Sequence, residues 1–547
     1  MLQARLEGLP PEERTTLQQA SIIGHIFWDD AVEYITNESS SEADTQSALR
    51  TTNDNLSSLR SRELIYHREE SAFTDADEYS FKHAILRDVT YESVLKRVRR
   101  VYRGLVADWL IDNGGERVNE YTGLIAEHLE QAGHSDQAIL YLHKAGDQAV
   151  RQYANEEAIG YYQRALALIA EQSPEDTIYA ETRPQLHESV GDVYSYIGQH
   201  DDARGKFQSA LTLTPVEDIL WQARLQRKIG RTRQDQGQYD ETERAFEAAE
   251  EILGQPPAEH PQSWWREWIW IQINRLYGMY ARAQSNEMVA LVEKMQSAVE
   301  QYGSPQQHEA FYGSQLRMYL RRDRYVISEE MLDISRKRLS AAVDVGEKQK
   351  VADAQFQAGF ILLWYGDLDQ SEAALQRALK LAEQSGYLYT QTLCFTYLAI
   401  LYRFRGRVQQ VKEYIERSIA AATERQMINY IGTAKANQAW VDWRQGDLAA
   451  AESNGKEALK LWGEVPFSYP LKWAALWPLM GVAVEKDQIE MAVQYASDLL
   501  APEQQRLPDE VLASLEGAMH AWQSNQPGVA RQKLEHALAL AEEIKQL

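Results

Sequence analysis

Between residues 355 and 461 one pattern is written three times over. Each copy places a small residue seven positions before a glycine: Gly359 before Gly366, Ala399 before Gly406, Ala439 before Gly446. The glycines recur every 40 residues. The ninth and twelfth positions after them are Leu375 and Ala378, Ile415 and Ser418, Gly455 and Ala458. The same frame occurs earlier as Gly191, Gly198, Phe207 and Ala210, and as Gly230, Gly237, Phe246 and Ala249, a step of 39 residues. A fixed period of this size is the signature of a solenoid whose unit is a helix, a tight turn and a second helix. The small residue lets the two helices approach closely, the glycine permits positive φ between them, and the bulky position fills the next layer.

These positions resemble the tetratricopeptide repeat. Within residues 184–217, Val190, Gly191, Tyr194, Gly198, Ala203, Phe207, Ala210 and Pro215 stand at that family's signature positions, with His187 where the family prefers tryptophan. The usual repeat is about 34 residues long, so the longer step implies longer helices or links, as in the variant found in bacterial regulators. The resemblance implies an all-α, right-handed superhelix of helical hairpins.

Such an array can use most of 547 residues as one body. The net charge of −24 argues against the whole chain being a nucleic-acid or anionic-membrane binder. The single cysteine, Cys394, excludes an intrachain disulfide and lies in an apolar stretch, as a core residue rather than a nucleophile. No run of about 18 apolar residues occurs, and the first residues carry no apolar leader. A cytoplasmic chain with no membrane span is the expectation.

Residues 1–40 read as helices, one opening at Pro11 and carrying Leu17, Ala20 and Ile23. A polar link over 37–44 offers Ser41 as an N-cap, and a helix follows to about Arg60. Segments 64–67 and 78–81 read as two short strands around an acidic tip at 74–78. A helix starts near Lys82 and another runs to Leu110, closing at Asn113, Gly114 and Gly115. This is the order of a winged helix. From about Glu116 the chain reads as about ten or eleven hairpins, the first two spanning 121–142 and 143–170. A Pro-rich link at 255–262 separates two solenoid halves. The expected divisions are 1–40, 41–113, 114–254, 255–262 and 263–547.

The segment Tyr79-Ser80-Phe81-Lys82-His83-Ala84-Ile85-Leu86-Arg87-Asp88-Val89-Thr90-Tyr91-Glu92-Ser93-Val94-Leu95 resembles the winged-helix region of STAND-type signalling ATPases. In particular it is similar to bacterial regulators that join a nucleotide cyclase or kinase, an AAA-like ATPase and a tetratricopeptide array. Arg5-Leu6-Glu7-Gly8-Leu9-Pro10 and Ala20-Ser21-Ile22-Ile23-Gly24 are similar to the end of that ATPase module. The resemblance covers residues 1–113, with the repeats as the family's sensor. It implies that His83 contacts a nucleotide phosphate where the ATPase module is present. The aspartate the family often carries next is Ala84 here. A phosphate loop needs G-x-x-x-x-G-K-[ST] so that backbone N–H groups and a lysine converge on the phosphates. The only Gly-Lys pairs, Gly205-Lys206 and Gly455-Lys456, sit in repeat helices. The chain is therefore expected to be the C-terminal portion of a larger regulator, or a stand-alone descendant of one.

Enzymatic chemistry has no foothold in these residues. The twelve histidines are scattered, and the nearest grouping, Glu127, His128 and His134, crosses a turn. No nucleophile motif occurs, and acidic pairs such as Glu156-Glu157 and Glu250-Glu251 read as solvated helix ends. No catalytic residue, cofactor or metal is expected.

Three surfaces invite a partner. The basic run Lys96, Arg97, Arg99, Arg100 and Arg103 gives a winged helix a contact face, for DNA or for packing. The inward positions of the three clear copies carry Phe360, Leu363 and Trp364; Ile400, Arg403 and Phe404; Trp440, Trp443 and Arg444. In the earlier copies they are Asp192, Ser195 and Tyr196, then Arg227, Arg231 and Gln234. Aromatics beside arginines have the composition of a binding hot spot, so Phe360, Trp364, Arg403, Phe404, Trp440, Trp443 and Arg444 are the expected groove. The third, Arg317 and Arg321-Arg322-Asp323-Arg324, sits before Ser328, an N-cap, and reads as intra-repeat ion pairing or an acidic-partner site. Trp264, Trp265, Trp268 and Trp270 surround one helix and read as core.

The expectation is a non-enzymatic protein-interaction module of a STAND-type protein, binding a protein or peptide in the groove. The alternatives are a winged-helix DNA-binding regulator with a repeat sensor, and the regulatory portion of a cyclase or kinase whose catalytic domain lies outside this chain. Nothing in the residues specifies an oligomeric state.

Overall fold

The computed structural model describes residues 2–39, 45–73, 76–171, 177–259, 261–282, 284–465, 468–545 and 547. Ser41, the tip residues Thr74 and Asp75, and Pro466 at the start of an expected hairpin lie outside these. The chain is an all-α solenoid with one small sheet, and it divides into two compact units, Met1–Ile252 and Leu253–Leu547.

The first unit begins with α1 (Leu2–Glu7), α2 (Pro11–Ile23), β1 (Ile26–Trp28), α3 (Asp29–Ser39) and α4 (Thr45–Ser61). β2 (Ile65–His67), β3 (Glu78–Phe81), α5 (Ala84–Ser93) and α6 (Lys96–Asn113) follow. The strands form an antiparallel sheet in the order β1-β3-β2, with Phe27 opposite Tyr79 and Tyr66 opposite Ser80. β1 lies where helix alone was expected. Three residues are too few to display a period-2 pattern, and tertiary contacts specify the strand instead. Phe27 is fully buried with its ring 5.7 Å from Tyr79, Trp28 stacks 5.5 Å from Trp109, and the Trp28 indole donates to Glu78 Oε2 at 3.1 Å.

The hairpins of this unit are α7 (Thr122–Ala132), α8 (Ser135–Arg151), α9 (Asn155–Glu171), α10 (Thr182–Tyr196), α11 (His200–Leu213), α12 (Ile219–Asp235) and α13 (Tyr239–Leu253). α8 runs unbroken through Leu142 and His143, where two hairpins were expected to meet, so α8 pairs with α9. The reason for the period is steric. A Cβ on Gly191 would lie 2.6 Å from Phe207, and one on Gly146 only 2.3 Å from Tyr162, so the second helix rests its ring directly on the first helix's bare backbone. Between them Gly198 turns the chain at φ 82°.

The second unit continues with α14 (Gln262–Ala281), α15 (Ser285–Tyr302), α16 (Pro305–Arg322), α17 (Glu329–Val345), α18 (Lys348–Tyr365), α19 (Leu368–Gln384) and α20 (Leu388–Phe404). Then come α21 (Val408–Glu424), α22 (Ile428–Arg444), α23 (Leu448–Gly463), α24 (Trp473–Glu485), α25 (Ile489–Leu499), α26 (Asp509–Gln523) and α27 (Pro527–Glu543). Ser304 and Gln307 form a capping box on α16, and Ser328 caps α17 by accepting from Met331 N. On α14, Trp264 and Trp268 are buried, whereas Trp265 and Trp270 are half-buried, Trp265 stacking on Tyr302 at 5.5 Å. Arg324, in the turn before α17, donates to the carbonyls of Ala501 and Gln504 at 3.2 and 2.9 Å. This ties the third helix of the unit to the segment preceding α26.

Gly191→Ala should lower the urea midpoint of the first unit, by about 1–3 kcal/mol of overpacking. Gly205→Ala on α11 meets nothing within 4 Å and should raise it, by about 0.5–1 kcal/mol of backbone entropy. Equal effects from the two substitutions would contradict the close-approach account.

Candidate partner-binding groove

The inner face of each array follows from the small residue: the next position and those four and five beyond project to one side of the first helix. In the second unit these positions are largely occupied by the chain itself. Arg403 is fully buried, donating from Nη1 to the Ala474 carbonyl at 2.8 Å and to Asn437 Oδ1 at 3.5 Å. Its guanidinium lies 5.6 Å from the Trp440 ring and 5.1 Å from the Trp473 ring. Burial, with Arg444 nearby, holds it well below the usual arginine pKa. Trp440 is 1% exposed, and Phe360 is buried with its ring 4.9 Å from Tyr397. Trp364 and Phe404 are half-buried, each within about 6 Å of Trp473. Trp443 donates to Glu485 Oε1 at 2.8 Å, and Arg444, though exposed, pairs with Glu542 at 2.9 Å. Phe360, Arg403 and Trp440 are therefore core, not partner-contacting, residues. Over Arg403 the cause is α24, whose Trp473 and Ala474 pack on it from two hairpins away; Phe360 is covered by Tyr397 of the neighbouring hairpin. What this unit leaves open is a tyrosine-rich area, with Tyr277 41% and Tyr389 44% exposed.

The first unit keeps an open pocket on its inner face. It measures about 500 Å³ and is lined by Asp147, Val150, Tyr153, Tyr162, Asp192 and Tyr196 among others. Tyr196 is 61% exposed. The Tyr162 phenol donates to Asp147 Oδ1 at 2.8 Å, and burial raises its pKa. Asp192 accepts from Lys228 Nζ at 2.6 Å; burial raises its pKa and that lysine opposes the rise. Sequence reasoning missed the α8 wall of this pocket. The signal was present: Gly146 precedes Tyr162 by the sixteen residues that separate Gly191 from Phe207 and Gly230 from Phe246. A larger hollow of about 650 Å³, near Lys456, Tyr495 and Trp522, touches none of the expected groove residues.

The basic run of α6 is turned partly inward. Tyr91 is flanked by Arg87, Arg99 and Arg103, whose guanidinium carbons lie 5.0, 4.5 and 5.3 Å from its ring. Arg99 donates to the Val94 carbonyl at 2.7 Å and pairs with Glu92 at 3.0 Å. Arg103 is 5% exposed and donates to the Tyr91 phenol and to His128 Nδ1 at 3.3 Å, so it is not a surface contact. Lys96, Arg97 and Arg100 remain exposed. His83 is exposed at the start of α5, where its carbonyl accepts from the amides of Leu86 and Arg87 and its side chain makes no cap bond. Cys394 is fully buried, and burial raises its thiol pKa. Among the described residues no group of three or more His, Cys, Asp or Glu side chains is gathered as a metal site, and no helix is long and apolar enough to cross a membrane.

No protein-family model matches the chain. An uncharacterized protein of Rhizobium meliloti (strain 1021) is 30% identical over 102 residues, which are 19% of this chain; the chain spans a tenth of that relative's length. Among solved structures, a STAND protein with a tetratricopeptide repeat sensor from Pyrococcus horikoshii is similar over 97% of this chain and 66% of its own, at 13% identity and a TM-score of 0.43. A Rap protein complexed with competence and sporulation factor is similar over 67% of this chain and 98% of its own, at 12% identity and a TM-score of 0.46. The fold assignment rests on the hairpin packing described above.

His128 is the buried titratable group facing Arg103. Burial first, and the Arg103 charge second, lower its pKa to about 3. Accepting from Arg103 at Nδ1 requires the neutral ring. In the unfolded chain it protonates near pH 6.5. Its stabilising contribution is therefore complete above that pH and is lost as pH falls toward 3, by up to about 1.4 kcal/mol per pH unit. His128→Gln should flatten the acid limb of the stability profile; an unchanged limb would contradict a neutral, buried His128.

Proposed function

We propose that this chain is a non-catalytic regulatory and protein-interaction module of a STAND-type signalling protein. The hairpin arrays hold a protein or peptide partner, and the N-terminal segment passes that state on. The observation that carries the reading is the open inner-face pocket of the first unit, about 500 Å³ with Tyr196 and Tyr153 61% and 51% exposed. Tyrosines left open in a concave, partly apolar site are the residues from which binding hot spots are built.

Residues 1–113 serve in this reading as the end of an ATPase-like module followed by a winged helix. The order of α2, β1, α3, α4, β2 and β3 with the sheet order β1-β3-β2 supports it; on this reading β1 belongs to the winged helix, ahead of residue 41. His83, exposed at the positive end of α5, is suited to a nucleotide phosphate where an ATPase module is present. The DNA-binding alternative must rest on Lys96, Arg97 and Arg100 alone, since Arg99 and Arg103 are tied inward. The cyclase- or kinase-linked alternative has the same arrays as its regulatory part. The expected site is cytoplasmic.

The purified chain should neither bind nor hydrolyse ATP. Random peptides selected on the immobilised chain should include binders weakened at least about tenfold by Tyr196→Ala or Tyr389→Ala, with circular dichroism and melting temperature unchanged. Binders indifferent to both substitutions would contradict the inner-face reading.

A further inference from the structure

We propose that the inner face of the second unit binds a carboxylate-rich segment of its partner at Arg317 and Arg321 of α16. This specifies the partner class and rests on the reading of the arrays as interaction modules.

The two arginines are one helical turn apart and are differently held. Arg317 donates to Ser314 Oγ at 3.0 Å on its own helix. Arg321 lies 4.8 Å from the Tyr280 ring, and its Nε is buried without an acceptor. Among the described residues, neither has a carboxylate within ion-pair distance. The nearby acids are committed elsewhere. Glu309 is gripped by Arg338 at 2.6 Å with Lys350 at 3.7 Å, and Asp353 accepts from the Thr390 hydroxyl. Arg338 adds positive charge beside Arg317, which burial first and Arg338 second push below the usual arginine value.

The surroundings are partly open to water rather than a sealed core. Tyr389 keeps 44% of its surface accessible, yet burial among neighbouring side chains raises its phenol to about 12. Arg317 is likewise half-buried and desolvated. Water reaches these groups while protein surrounds them. In such a setting a guanidinium without a counter-charge is unfavourable, and a carboxylate delivered to it forms strong, charge-assisted hydrogen bonds. Two guanidinium groups without a carboxylate stand out in a chain of net charge −24, and they select an anionic segment over a neutral or basic one.

The test is fluorescence anisotropy on the full chain with two short, fluorescein-labelled, amidated peptides, one alternating Glu and Ala, the other Lys and Ala. The Glu peptide should bind, weaken as salt is raised, and lose at least about tenfold in affinity with Arg317→Gln or Arg321→Gln. Arg317→Lys, which keeps the charge and the helix, should lose less. Absence of Glu-peptide binding, equal binding of the Lys peptide, or affinity unchanged in both Gln variants would overturn the proposal. Selection of neutral or basic peptides by the same chain would overturn this inference while leaving the interaction-array reading standing.

Discussion

The structure depends on an aromatic ring lying against a bare stretch of helix. Tyr162 on Gly146, Phe207 on Gly191 and Phe246 on Gly230 repeat one contact in which even a methyl group would collide. That contact sets how closely the helices of a hairpin approach, and through it how each hairpin presents its inner face. Leu375 on Gly359 does the same in the second unit with an aliphatic side chain. The inner positions, one residue past the small one, inherit their direction from this packing.

The contact is also why the fold was legible. It leaves a mark at short range, a small residue and a bulky one sixteen positions apart with a glycine turn between, and that mark survives in one chain read alone. β2 and β3 were readable too, because Leu64 to His67 and Glu78 to Phe81 break the helical period. β1 was not, since three residues held by Tyr79, Glu78 and Trp109 carry no pattern of their own. The candidate site was half legible. Spacing identifies which residues face inward, but says nothing about what arrives over them. Arg403 meets a carbonyl 71 positions away, and its guanidinium lies against Trp440 of the next hairpin; a short-range pattern cannot encode either contact. Of the open tyrosines, Tyr196 and Tyr389 lie in copies whose pattern is plain, whereas Tyr153 and Tyr277 lie outside the recognised frames.

Charge follows the same logic of inside and outside. A strongly acidic chain places several arginines where water is scarce: Arg103 against Tyr91 and His128, Arg403 between two tryptophans, Arg317 near Tyr277 and Tyr280. The first two are held by ring faces and oxygen or nitrogen acceptors, and they stiffen the helices that carry them. Among the described residues, Arg317 has a hydroxyl acceptor on its own helix and no carboxylate within ion-pair distance. Positions of structure and positions of recognition thus use one residue type, separated by whether the surrounding chain supplies the acceptors.

The most direct test of the account is to map where a bound partner segment lies. Photo-crosslinking of a selected peptide to the full chain, read by mass spectrometry, should place adducts on inner-face helices, at residues such as Tyr196 on α10 or Tyr389 on α20. Adducts confined to the outer helices α9, α11, α19 and α21, or to residues 2–113, would contradict an inner-face interaction module.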